Sequence, residues 1–133
     1  MRRTYHGSCH CGAVHFDAEI DLAAGTSRCN CSICAKGRFW KAIVPANGFR
    51  LRRGADDLSI YRFGSRSIQH RFCRHCGIKP FGQGHLEGIG DFFAVNIACL
   101  DDVPSRELAA APIDFEDGRH DDWSSAPAAH WHL

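Results

Sequence analysis

The chain has 133 residues, 44% of them hydrophobic and 23% charged, and a formal net charge of +1. That length suits one domain able to bury roughly two thirds of the surface its unfolded form exposes, and the composition excludes disordered and collagen-like chains. The opening Met1-Arg2-Arg3-Thr4-Tyr5-His6 lacks the apolar run of a signal peptide, and no uncharged stretch is long enough to span a bilayer. A cytoplasmic protein with no membrane role is expected.

In chain order, Val14, Phe16, Ala18 and Ile20 alternate with His15, Asp17 and Glu19, which predicts a strand with one buried face. Phe39 to Val44 predicts a second strand, stopped by Pro45. Phe49 to Arg53 and Leu58 to Phe63 flank Gly54-Ala55-Asp56-Asp57 and read as two strands joined by a turn. Ser67 to Phe72 and Phe92 to Leu100 complete the strands, and Ser105 to Ala111 is the one helical segment. The ending, residues 124–133, has little to pack beyond Trp123 and Trp131. Strands at short spacing without internal repeats predict a mainly β domain over residues 1–133.

Charge is uneven along the chain. Residues 28–79 carry twelve Lys/Arg against Asp56 and Asp57, whereas residues 80–133 carry two Arg against ten acids. Folding is expected to bring these halves together. The basic centre has no helix-turn-helix pattern and no interleaved aromatic and basic array, which argues against a nucleic-acid partner. Arg50, Arg52 and Arg53 read first as a solvated strand face.

Seven of the eight cysteines fall into three clusters: Cys9-His10-Cys11, Cys29-Asn30-Cys31-Ser32-Ile33-Cys34 and Cys73-Arg74-His75-Cys76-Gly77. In a reducing compartment such clusters read as metal ligands before disulfides. Seven divides into four, which closes a tetrahedral structural zinc site, and three, which leaves a coordination position open. Cys9 and Cys11, as i and i+2 of an extended segment, can share an ion. Cys73-x-x-Cys76-Gly77 has the form of a zinc knuckle, with Gly77 free to take a positive φ, and Gly12 can do the same after Cys11. Pairing these two clusters closes a loop of about sixty residues and couples metal binding to folding. Free thiols or a redox pair are the alternative. With seven thiolates on two Zn²⁺ the formal charge of +1 becomes −2, so the basic centre also compensates sulfur charge.

Cys29, Cys31 and Cys34 have no fourth thiol nearby and read as a labile, open zinc site, the alternatives being a spare redox thiol or a second structural metal. Cys99 is the rival fourth ligand, but its apolar surroundings favour core packing. A three-thiolate zinc carries net negative charge and activates water poorly, so the site points to thiol chemistry before hydrolysis. Arg28, Lys36, Arg38 and Lys41 are the nearby cations that can offset an added thiolate or hold an acidic thiol ligand. His10 and His75 read as exposed spacers, His70 as a partly exposed strand histidine with reach toward the cleft, and His130 and His132 as tail residues. Trp40 either walls the pocket or packs with Phe39.

The ordered motifs Gly7-Ser8-Cys9-His10-Cys11-Gly12, Cys29-Asn30-Cys31-Ser32-Ile33-Cys34-Ala35-Lys36 and Phe72-Cys73-Arg74-His75-Cys76-Gly77, followed by Val95-Asn96-Ile97-Ala98-Cys99-Leu100-Asp101, resemble the glutathione-dependent formaldehyde-activating (Gfa) family. The resemblance covers about residues 5–102 and continues weakly to Trp123. Cys31-Ser32-Ile33-Cys34, Ile43-Val44-Pro45 and Tyr61-Arg62-Phe63 look closest to the branch containing the centromere protein V domain. The resemblance implies an Mss4-like fold of coiled antiparallel sheets with a structural zinc held by Cys9, Cys11, Cys73 and Cys76. It implies a second, catalytic zinc on Cys29, Cys31 and Cys34. The implied activity is that of a carbon–sulfur lyase, S-hydroxymethylglutathione synthase-like, with glutathione and formaldehyde as partners. The implied alternative is a noncatalytic zinc-binding interaction module. Where many members carry an Arg-Lys pair after the third cysteine of the loop, this chain has Ala35 before Lys36, and the loop runs directly into Gly37-Arg38-Phe39-Trp40.

Overall fold

The computed structural model describes residues 1–133 as two β-sheets with short helices between strands. Strands β1 (Arg3–Ser8), β2 (His15–Ile20) and β5 (Phe49–Arg53) form a three-stranded antiparallel sheet in the order β1-β2-β5. The larger sheet has seven strands: β3 (Thr26–Cys29), β4 (Trp40–Pro45), β6 (Leu58–Tyr61), β7 (Gln69–Cys73), β8 (Phe81–Leu86), β9 (Gly90–Asn96) and β10 (Ile113–Glu116). Its order is β10-β3-β4-β9-β8-β7-β6, and every pairing is antiparallel except β10 on β3. The helices are α1 (Ser32–Gly37) and α2 (Ser105–Ala110). No helix is long and apolar enough to cross a membrane.

The alternation in β2 does what its pattern dictates, burying Phe16, Ala18 and Ile20. These residues meet Tyr5 from β1 and Ala42, Val44 and Val95 from the larger sheet in one core. Phe49 sits at its centre, stacked on Phe93 at 4.0 Å between ring centroids and tilted against Phe81 at 4.7 Å. The core therefore joins the two sheets.

The two strands flanking Gly54-Ala55-Asp56-Asp57 form as expected, but β5 and β6 do not pair with each other. After Gly54 a 3-10 turn over Ala55–Asp57 sends the chain from one sheet to the other, so β5 closes on β2 and β6 on β7. Pro45 ends β4 from within, opposite Phe92, at a terminal position where its missing N–H costs little. The apolar run to Leu100 stops being a strand at Asn96, whose side chain accepts from Ala98 N–H and starts a 3-10 turn. In the C-terminal tail the buried residues are Pro127 and Leu133, while Trp123 and Trp131 stay exposed. The basic and acidic halves share one ion pair, Lys41–Glu116 at 2.6 Å. The arginines of β5 turn instead to β2, with Arg52 on Asp17 at 2.7 Å and Arg53 beside His15 at 3.1 Å.

Candidate metal centre and the second cysteine cluster

The first centre is made by two turns of the same construction. Cys9 N–H donates to Val14 O at 3.1 Å, and Cys73 N–H donates to Ile78 O at 2.9 Å, so each cysteine opens a closed knuckle. Gly12 and Gly77 supply the positive φ both turns need, 82° and 79°. The structure corrects one detail: Cys9 and Cys11 lie in a turn, not along a strand, so it is chain reversal that brings their sulfurs together. The sulfurs of Cys9, Cys11, Cys73 and Cys76 all lie within 4.8 Å of one another and could hold a metal ion. Cys9 Sγ to Cys11 Sγ is 3.7 Å and Cys11 Sγ to Cys73 Sγ is 3.6 Å. A tetrahedron with zinc–sulfur bonds of about 2.3 Å has edges of about 3.8 Å, so the donor set fits. Backbone amides reach two of the four sulfurs. Val14 N–H points at Cys9 Sγ from 3.3 Å, and the backbone amides of Cys11 and Ile78 draw the Cys76 thiol down to about 6. His10 and His75 are exposed, and His75 pairs with Asp57 at 2.7 Å.

The second cluster leaves the end of β3 and enters α1. Cys29 is buried; Cys31 and Cys34 are half-buried. Cys31 N–H donates to Cys29 Sγ at 3.4 Å. The thiols of Cys29 and Cys34 pull Cys31 far below the ordinary thiol range, while Cys29 and Cys31 push Cys34 far above it. Their sulfurs do not converge as the first four do, and no fourth cysteine joins them. Cys99 lies elsewhere, 7% exposed in the core cluster, with burial raising its thiol to about 12.

A segment that the sequence passes over as tail holds this loop in place. Asn30, buried between the cysteines, donates through Nδ2 to Asp117 Oδ1 at 2.8 Å and accepts at Oδ1 from Arg119 N–H at 2.9 Å. Its backbone N–H donates to Glu116 O at 3.1 Å. Gly118 then passes so close that a Cβ there would lie 2.5 Å from Cys29 Sγ and 3.3 Å from Cys31 Cβ. A cleft of about 720 Å³ runs along the β10-β3-β4 edge, lined among others by Ser27, Lys41, Ile43, Phe115, Glu116 and His130, and none of the three cysteines lines it.

The cations divide unexpectedly. Arg28 lies over Trp40 at 5.3 Å and donates to Arg38 O; Arg38 donates to Leu133 O; Lys36 is exposed. Trp40 packs on the core and donates Nε1–H to Thr26 Oγ1, so it does not wall the site. Lys41 is matched by Glu116. The cation that sequence reasoning missed is Lys79, which reaches in from the β7–β8 connection. Its Nζ lies 2.8 Å from His70 Nδ1 and 4.1 Å over the Phe39 ring. His70 is buried, not partly exposed, and burial then the charge of Lys79 lower its pKa to about 4. Asn30 and Gly118 were findable in part, a polar residue between ligands and a glycine in an acidic stretch. Nothing in the sequence near Lys79 marks it.

The architecture defines a class: a mainly β protein folded around a cysteine knuckle able to hold a metal. Residues 4–115 match the family described as glutathione-dependent formaldehyde-activating enzyme. A crystal structure of a Rhodobacter sphaeroides protein is similar at 35% sequence identity with a TM-score of 0.69, covering 82% of this chain and 99% of that one. The chain belongs to the glutathione-dependent formaldehyde-activating enzyme family.

Proposed function

We propose that the protein is a zinc-dependent carbon–sulfur lyase that adds a small glutathione-like thiol to an aldehyde such as formaldehyde. The observation that carries the proposal is the second cluster. It has three thiols and no fourth, held in place by Asn30 and Gly118. In this reading Cys9, Cys11, Cys73 and Cys76 hold a structural zinc, and Cys29, Cys31 and Cys34 hold a second ion with a position free for the incoming sulfur. The second ion, when bound, supplies a soft Lewis-acid site that keeps the substrate thiol ionised at neutral pH.

The chain's own residues do the rest. Cys29, held by Cys31 N–H and covered by Gly118, is the fixed corner of the loop. Cys31 and Cys34 are half-buried, more accessible than Cys29. The cleft along Lys41 and Glu116 receives the body of the thiol, and the exposed aldehyde approaches the sulfur held at the loop. Orienting the two reactants at one edge turns a bimolecular addition into an effectively unimolecular one.

Native mass spectrometry of metal content, with and without glutathione, tests the reading together with Cys31→Ser. The expected protein carries two zinc ions, one of them displaced or exchanged by the thiol, and Cys31→Ser keeps one zinc and the fold while losing thiol binding and turnover. Full activity in Cys31→Ser refutes the assigned loop. Thiol-independent metal content with no turnover would favour an interaction module.

A further inference from the structure

The cleft along the β10-β3-β4 edge carries an ion pair among apolar side chains. Lys41 Nζ donates to Glu116 Oε1 at 2.6 Å and to Ser27 Oγ at 2.9 Å, which uses two of its three protons. Glu116 Oε2 receives no donor from the protein. It is not a buried orphan either, so it opens onto the cleft that its residue lines. Both charged side chains are largely withdrawn from water. The pair therefore presents one free charged donor beside one free charged acceptor. Around it Ile43 and Trp123 line the cleft with about half of their surface open, the kind of exposed apolar surface that marks a binding groove. Such a lining is complementary to a ligand that bears an ammonium and a carboxylate on one carbon and continues as a short methylene chain.

The sheet register sets how far this pair lies from the second cluster. Ser27, the register partner of Lys41, precedes Cys29 by two residues on β3 and shares its face by alternation. Two residues of strand cover about 6.6 Å. Glu116 is the register partner of Cys29 itself, one strand spacing or about 4.8 Å away between backbones. A ligand whose charged head rests on Lys41 and Glu116 meets the cysteines only if its sulfur lies about two residue lengths from that head. Free cysteine has a single methylene between the two and falls short. In a γ-glutamylcysteinyl unit two methylenes, an amide and the cysteine carbons intervene, which place the sulfur roughly 8 Å from the head when extended.

We propose that Lys41 and Glu116 bind the α-amino acid head of a γ-glutamyl thiol, Lys41 its carboxylate and Glu116 its ammonium, and so select γ-glutamyl thiols over thiols that lack this head or carry it closer to sulfur. This rests on the thiol–aldehyde reading above and names the end of the thiol that the cleft takes. The binding is noncovalent. The Lys41–Glu116 pair stays intact, and the head lies against it as a second pair of opposite direction. Ser27 is a positioning residue, holding the Lys41 ammonium by accepting one of its protons. The glycine end of glutathione has no counterpart in the pair, so γ-glutamylcysteine is an equivalent ligand.

The test is calorimetry on the full chain with glutathione, γ-glutamylcysteine, cysteinylglycine and γ-glutamyl-2-aminobutyryl-glycine, in which a methyl group replaces the thiol. Glutathione and γ-glutamylcysteine should bind within about threefold of one another, and cysteinylglycine about tenfold or more weaker. The methyl analogue has no sulfur to offer, so its binding reads the cleft alone. It should bind the wild type and lose about tenfold or more on N-acetylation, or in Lys41→Met with Glu116→Leu, which replaces the pair without stranding a charge. That double variant should bind cysteinylglycine as the wild type does. Equal affinity of wild-type protein for glutathione and cysteinylglycine overturns the proposal without recourse to any variant, so a double variant that fails to fold does not shield it. A methyl analogue that does not bind, or that binds both proteins equally, overturns it as well and leaves the thiol–aldehyde reading standing. Wild-type protein that binds none of the thiols refutes that reading, and the role of the pair with it.

Discussion

Gly118→Ala is the smallest change that tests how the second cluster is held. The added Cβ would lie 2.5 Å from Cys29 Sγ, 3.1 Å from the Trp123 ring and 3.3 Å from Cys31 Cβ. Ordinary contacts between such atoms fall at about 3.5–4.0 Å, so the first of these overlaps by roughly 1 Å. Trp123 is 54% exposed and can swing away, but Cys29 is buried and cannot. The two backbones are also pinned through Asn30, by bonds of 2.8 Å to Asp117, 2.9 Å from Arg119 and 3.1 Å to Glu116. Overpacking at so constrained a point costs about 1–3 kcal/mol, a fall in Tm of several degrees for a chain of this length. Scanning calorimetry should show that loss. Native mass spectrometry should show the second metal ion released more readily while the four-cysteine knuckle keeps its own. Gly37→Ala is the control. It lies at the end of α1 with nothing within 4 Å of its Cβ, and should be neutral or stabilising by up to about 1 kcal/mol. A Gly118→Ala protein with wild-type Tm and wild-type metal retention would refute the packing argument.

Other outcomes follow from the same geometry. Glu116→Ala strands Lys41, whose side chain is only 12% exposed, and should cost about 3 kcal/mol or more in urea unfolding; Lys41→Met with Glu116→Leu should recover most of it. Cys73→Ser removes a fully buried ligand, and circular dichroism should show a chain that no longer unfolds cooperatively or refolds on adding zinc. A melting curve like that of the wild type would remove metal from the account of folding. His70 has its pKa lowered from 6.5 to about 4 in the fold, so the unfolded chain binds the extra proton between those values. Its contribution is complete above about pH 6.5 and is lost as pH falls toward 4, by up to about 3 kcal/mol. Denaturant titrations of wild type and His70→Asn should diverge in that window; parallel curves would contradict the buried, neutral imidazole.

Much of this molecule is legible in its sequence because the relevant rules are local. The alternation of β2 announces its buried face, and the Cys-x-Cys-Gly and Cys-x-x-Cys-Gly patterns announce turns whose glycines take positive φ. β8, Phe81–Leu86, is hidden because Gly82 and Gly84 replace the alternating side chains that would reveal a strand. α1 is hidden because one and a half turns without a buried residue leave no period to read. β10 joins β3 in parallel from far along the chain, a pairing that no neighbouring residue specifies.

By itself, then, the sequence determined which residues could meet at a metal, and that the cysteines divide into four and three, since ligand chemistry and turn geometry act over a few residues. Only the tertiary structure decided what surrounds the group of three. β10 must pair with β3 before Asp117, Gly118 and Arg119 can close over Asn30. The β7–β8 connection must lie across the same sheet face before Lys79 can reach His70 and Phe39. Apart from the nine-residue step between His70 and Lys79, those are contacts between residues about forty to ninety apart in the chain, and they form because one face of the larger sheet is buried on the other sheet and its opposite face is left to the site.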